Sequence, residues 1–254
     1  MVPILMYHEL SEVPVQYKYT ISVNTFKEHL SAIKDLGKQG ISINKFISGF
    51  NEQSVVITFD DGYATDLLLA LPILKEYGYS ATFYVSTQNI GISEKWLTWD
   101  MIRKLLEEGM DVQVHGHTHK FLDTCTSEQL LDELRIPIKL FKENIGNTIE
   151  HLSLPGGRFN QHTIETAKKI GFKTISTSIP GPNYISTVNS LRILKRYTLH
   201  QGIGIEEFVK IIQNDRYYVF ISNIKYLLKK YTKKILGNNL YQKLWLKVMK
   251  YYDQ

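Results

Sequence analysis

The stretch Val55-Val56-Ile57-Thr58-Phe59-Asp60-Asp61-Gly62 decides how the rest of the chain is read. Its first half is apolar and rich in β-branched residues, the composition of a buried strand. Two carboxylates then arrive back to back. At the end of a buried strand they repel each other and lose hydration, so a metal, a proton or another cation has to offset the cost. Successive side chains diverge along a strand, so one acid can ligate a cation while the other stays free to accept a proton. Gly62 lets the backbone turn sharply at that point.

A second apolar run, residues 110–114, leads into His115-Gly116-His117-Thr118-His119. His115 and His119 are four apart. A helical turn after the strand would bring both imidazoles onto one face, with His117 pointing elsewhere. Two histidines and one aspartate leave coordination positions open for water and substrate, as a hydrolytic metal site requires.

Working outward, apolar strand-like runs at 3–7, 40–43, 81–85, 110–114, 149–154, 174–178 and 191–199 alternate with helical patterns. These lie at 26–36, 44–50, 66–77, 98–108, 126–144, 160–170 and 205–214. Such alternation calls for a parallel sheet with crossover helices, and this many units favour an irregular (β/α) barrel. No G-x-G-x-x-G follows an early strand, which argues against a dinucleotide fold. His8, Asp60-Asp61, the histidine cluster and Pro155-Gly156-Gly157 all fall at strand C-terminal ends, where such barrels place their sites.

At 254 residues the chain can bury a sizeable core. The lone Cys125 excludes an internal disulfide and a cysteine-rich zinc site. Residues 222–254 hold eight lysines and one aspartate, a net +7 against +5 for the whole chain, which leaves the preceding body at −2. The basic character belongs to the tail, so net charge gives no support for nucleic acid as a partner. The N-terminus has no basic segment and too short an apolar run for a signal peptide, which leads to the expectation of a cytoplasmic protein.

Thr58-Phe59-Asp60-Asp61-Gly62 and His115-x-x-x-His119 resemble the first two motifs of the polysaccharide deacetylases, carbohydrate esterase family 4. The resemblance covers roughly residues 3–214. It implies a deformed (β/α) barrel that removes N-acetyl groups from amino sugars with one divalent metal, commonly Zn²⁺, with Co²⁺ or Ni²⁺ as alternatives. Carried over, it makes Asp60 the catalytic base and Asp61, His115 and His119 the metal ligands. The family's third motif, R-x-P-x-G, reads Ser153-Leu154-Pro155-Gly156-Gly157 here. Ser153 stands where the family has an arginine that orients the base, so another cation has to take that place. Gly156 matches the residue that offers its N–H to the oxyanion, and Pro155 is placed beside the substrate. Met6-Tyr7-His8 is similar to the N-terminal Tyr-His of deacetylases acting on poly-N-acetylglucosamine, which makes His8 the candidate acid.

Trp99 matches a tryptophan found before the second motif, able to pack on a sugar or to anchor the core. The expected organisation is a barrel domain over residues 1–221 and a basic amphipathic helical tail over residues 222–254. That tail suits either packing on the barrel or an anionic membrane surface. A cytoplasmic-face location favours a lipid-linked or nucleotide-linked sugar over an extracellular polymer. Two other readings stay open here: a catalytically weak glycan-binding barrel, motivated by Ser153, and an amidohydrolase of small non-sugar amides.

Overall fold

The computed structural model describes residues 1–49, 51–184 and 191–232. In chain order the strands are β1 (Ile4–Tyr7), β2 (Leu10–Ser11), β3 (Ile21–Ser22), β4 (Gln39–Ile41), β5 (Ser54–Phe59), β6 (Thr82–Val85), β7 (Asp111–Val114), β8 (His151–Ser153), β9 (Thr174–Ser176), β10 (Arg192–Leu194) and β11 (Tyr197–Thr198). The helices are α1 (Val23–Asp35), α2 (Ile43–Ser48), α3 (Leu71–Glu76), α4 (Trp99–Glu107), α5 (Ser127–Ile145), α6 (Gln161–Ile170) and α7 (Ile205–Ile212). Residues 216–232 form an eighth, α8.

Nine strands make one curled sheet in the order β10-β9-β8-β7-β6-β5-β1-β11, with β4 added against β5. All its pairings are parallel. β5 is the hub. β1 pairs along it from Val56 to Phe59, while β4 takes Ser54 to Val56 and β6 takes Thr58 and Phe59. A strand at the centre of a parallel sheet is covered on both faces, which is why Ser54–Phe59 reads as a continuous buried run.

The helices begin where side chains can hold the free N–H groups of a first turn. Ser22, Thr98, Thr126 and Asn160 each accept a bond from the N–H three residues on. Thr126 with Gln129, and Asn160 with Thr163, close reciprocal capping boxes. α5 runs on through Pro137, and α3 is preceded by a π-helical turn over Asp66–Ala70.

The two-residue period of the strands sorts the interior. Val55, Ile57 and Phe59 join Phe83, Val85, Val112, Val114, Leu152 and Ile175 in the large core beneath the helices. Val56 faces the other way and packs with Ile4, Tyr84 and Leu194 in a smaller cluster that plugs the barrel. Next along that inward row come Thr58 and Asp60, both buried. The barrel is therefore apolar at its base and polar at its C-terminal mouth.

One expected element is corrected. The run 191–199 is not a single strand but two, β10 and β11, which lie at opposite ends of the sheet. The chain crosses the seam of the curled sheet through Lys195-Arg196, anchored by Thr177 N–H to Leu194 O and Arg196 N–H to Ile179 O. That step turns Arg196 into the interior, where it is fully buried. The boundary drawn at residue 222 falls within α8, and residues 233–254 of the basic tail lie outside the described residues. No helix among the described residues is long and apolar enough to cross a membrane.

Candidate metal site and catalytic cleft

Asp60 is the first residue past β5, and its N–H still bonds to Tyr7 O. Asp61 leaves the strand path with φ 82°, a left-handed conformation that costs energy in any non-glycine residue. Gly62 follows at φ 85°, and a Cβ there would stand 2.7 Å from Val85 Cγ1, so no larger residue fits. This turn swings the Asp61 carboxylate toward the end of β7. His115 sits there, its N–H bonded to Val85 O.

The loop after His115 is not the helical turn expected from the four-residue spacing. It is a bend, with positive φ at Gly116 and His119. The outcome is the same juxtaposition by another route, since the His115 and His119 rings lie 5.0 Å apart. His117 points away and bonds through Nδ1 to Thr87 Oγ1. Glu133 on α5, buried against this loop, holds the bend. Its Oε2 accepts from the N–H groups of His117 and Thr118 at 2.9 Å each, and Oε1 accepts from the Thr118 hydroxyl.

Asp61 Oδ1 lies 3.4 Å from His115 Nε2 and 3.1 Å from His119 Nε2. It is buried yet aligned for a hydrogen bond with neither. His115 Nδ1 is 3.0 Å from Ser153 O, a carbonyl that can only accept, so Nδ1 carries the proton and Nε2 presents a lone pair. Among the described residues, Asp61, His115 and His119 are the group whose ligand atoms converge, all within 4.8 Å of one another. Three ligand atoms gathered around an unbonded buried oxygen fit a divalent cation. A mixed N₂O set suits zinc.

The base position has its own cation. Arg196 Nη1 and Nη2 grip Asp60 Oδ1 and Oδ2, at 2.7 Å each. Its remaining donors go to Thr58 Oγ1, Ser153 Oγ and Thr177 O, so all five guanidinium N–H groups are used. Ser153 also donates its hydroxyl to Asp60 Oδ2 at 2.9 Å. Burial works against ionisation of Asp60, but Arg196 and His115 outweigh it and hold the carboxyl below the usual carboxylate range. The cation missing from position 153 thus arrives from the β10–β11 step. Sequence inspection missed it because Arg196 lies in a charged edge run that names no partner.

These groups open into a cleft of about 610 Å³, within the usual range for a ligand site. His8 lines it, with Nδ1 buried and without a hydrogen bond. Burial lowers the His8 pKa, while Asp61 and Asp60 work the other way. Gly156 also lines the cleft at φ 62°, and a Cβ there would stand 2.6 Å from the Phe121 ring. Trp99 and Pro155 are not among the lining residues. Trp99, half-buried, packs edge-on against Phe141 of the core. Pro155 is buried beneath the turn that presents Gly156.

Comparison with known proteins agrees with this geometry. Residues 48–175 match the family described as polysaccharide deacetylase. A Bacillus subtilis (strain 168) relative named for the polysaccharide deacetylases, YxkH, is 30% identical over 218 residues, covering 84% of this chain and 76% of that one. The peptidoglycan-N-acetylmuramic acid deacetylase PdaA of the same organism is 25% identical over 152 residues, covering 57% of this chain and 56% of its own length. Among solved structures, the Streptococcus pyogenes deacetylase PplD in complex with acetate superposes with a TM-score of 0.75 at 24% identity, covering 83% of this chain and 97% of that one. The chain belongs to the polysaccharide deacetylase family, and its curled parallel sheet is that family's (β/α) barrel.

Proposed function

We propose that this protein removes N-acetyl groups from an amino-sugar-containing glycan or glycan precursor. The observation that carries this reading is the placement of Asp60, held ionised by Arg196, beside the converging ligands Asp61, His115 and His119. Asp61, His115 and His119 would hold a divalent cation, for which Zn²⁺ is the proposed identity, and such a cation would supply Lewis acidity to the cleft. Asp60 accepts the proton of the attacking water. The Gly156 N–H donates to the oxygen as it gains negative charge. His8 delivers a proton to the leaving amine, and acetate departs.

Arg196 weakens the case for an inactive binding barrel, because that reading rested on Ser153 leaving the base without a cation. The relatives named above support an N-acetylated sugar as the substrate class. Acetate release from N-acetylglucosamine oligomers and from peptidoglycan fragments tests the proposal, before and after chelation and metal restoration. Release that depends on the metal supports it. Release from small non-sugar amides alone would move the assignment to a general amidohydrolase.

A further inference from the structure

One side of α8 is docked on the barrel. Tyr218 N–H bonds to Asp215 Oδ1, its hydroxyl bonds to Glu207 Oε1 at 2.9 Å, and its ring meets that of Tyr197. Val219 packs beside it on the large core. Further along, Tyr226, Lys229 and Lys230 line the cleft, so this side of the helix is also one of its walls.

The opposite side carries Tyr217, Phe220, Ile224, Leu227, Leu228 and Tyr231. At 3.6 residues per turn these six fall within an arc of about 100°. All are exposed, from 38% at Ile224 to 73% at Tyr217. Single apolar side chains in water need no explanation, but a continuous stripe of large ones marks a contact surface. Cations border the stripe, Arg216 and Lys230 along one edge and Lys225 along the other. Residues 216–232 hold four cations and no acid.

That charge decides between occupants. A second copy of α8 would set cations against cations. Residues 233–254, with five lysines and one aspartate, would do the same if they covered the stripe. An apolar stripe between cationic borders instead matches the boundary of an anionic bilayer, where acyl chains lie beneath a layer of phosphate. No helix among the described residues is long and apolar enough to cross that bilayer, so α8 would lie in its surface. We infer that the protein docks on an anionic phospholipid surface through this stripe, with the docked side of α8 turned toward the barrel. The inference stands apart from the deacetylase reading, since it concerns where the protein sits and not which bond it cleaves.

Co-sedimentation of the full chain with vesicles tests it. One set is phosphatidylcholine and the other is phosphatidylcholine with phosphatidylglycerol. Wild type is expected to partition onto the anionic set about tenfold more strongly at low salt. F220S/L228S, at two exposed positions, is expected to lose about tenfold of that partitioning with its Tm unchanged. R216Q/K225Q, which leaves the stripe and the cleft lining intact, is expected to lose about tenfold as well. Equal partitioning of wild type onto both sets overturns the inference. So does undiminished partitioning of F220S/L228S, which would move the contact to the lysines of residues 233–254. A clear fall in the Tm of F220S/L228S overturns it in favour of a stripe covered within the chain. A wild-type dimer that F220S/L228S converts to monomer in sedimentation equilibrium overturns it in favour of a second copy.

Discussion

Arg196 and Asp60, 136 positions apart in sequence, form a buried two-point ion pair with both N–O distances at 2.7 Å. Arg196 is 0% exposed and Asp60 2%. Breaking one side of such a pair strands the other charge. Arg196→Ala is expected to destabilise the fold by about 3–5 kcal/mol and to abolish turnover. The double variant R196A/D60A, with no charge left to strand, should recover part of that stability while remaining inactive. Chemical denaturation of R196A, D60A and the double variant checks this. A double variant as unstable as the sum of its parts would contradict the pairing.

That pair also shows what could and could not be read in advance. Asp60, Asp61, His115 and His119 were legible because each motif follows an apolar strand run, and a parallel barrel brings strand ends together whatever the sequence distance. The sheet itself was legible from the alternation of strands with capped helices. Arg196 was not, because its role depends on the break between β10 and β11, which closes the barrel seam. Nothing in Arg192–Thr198 distinguishes that break from one continuous edge strand. Glu133 was hidden too, since an acid on an amphipathic helix ordinarily faces water. The cleft wall formed by α8 depends on where Tyr218 docks, which periodicity alone does not give.

Asp60→Asn is expected to keep the metal but lower acetate release by about 10²–10⁴, the scale of a lost general base. His8→Gln should lower kcat with little change in KM, because its imidazole is proposed to act on the leaving amine rather than in substrate binding. Metal content and steady-state kinetics on one preparation separate these effects. Loss of metal in D60N would move Asp60 into the ligand set.

Glu133 acts through the bend that carries His119. Glu133→Ala leaves the His117 and Thr118 N–H groups without their acceptor. Metal affinity is expected to fall by about 10–100-fold, the usual effect of removing an outer support. Glu133→Gln, which keeps one acceptor oxygen, should recover part of it. Competition with a chromogenic chelator measures both, and an unchanged affinity in E133A would remove Glu133 from the site.

Asp66 is buried, and neither of its carboxylate oxygens has a hydrogen bond. Burial, then the charges of Asp61 and Asp60, raise its pKa well above the ordinary value. A raised folded pKa means the folded state holds the proton over a range where the unfolded chain has released it. The resulting stability is fully present below the unfolded carboxylate value of about 3.9 and is lost as pH rises toward the folded one. Asp66→Asn removes the titration. Its Tm is expected to exceed that of wild type at pH 8, with the gap narrowing toward pH 4. A gap that is constant with pH would show that Asp66 is not the group responsible.

The convergence of three ligands on one cation is the claim on which the chemistry rests. Anomalous diffraction at the zinc edge from zinc-loaded crystals tests it most directly. The account predicts a single peak about 2.0–2.2 Å from one oxygen of Asp61 and from Nε2 of both His115 and His119, with Asp60 outside bonding distance. A peak elsewhere, or one that engages Asp60 in place of Asp61, would contradict it.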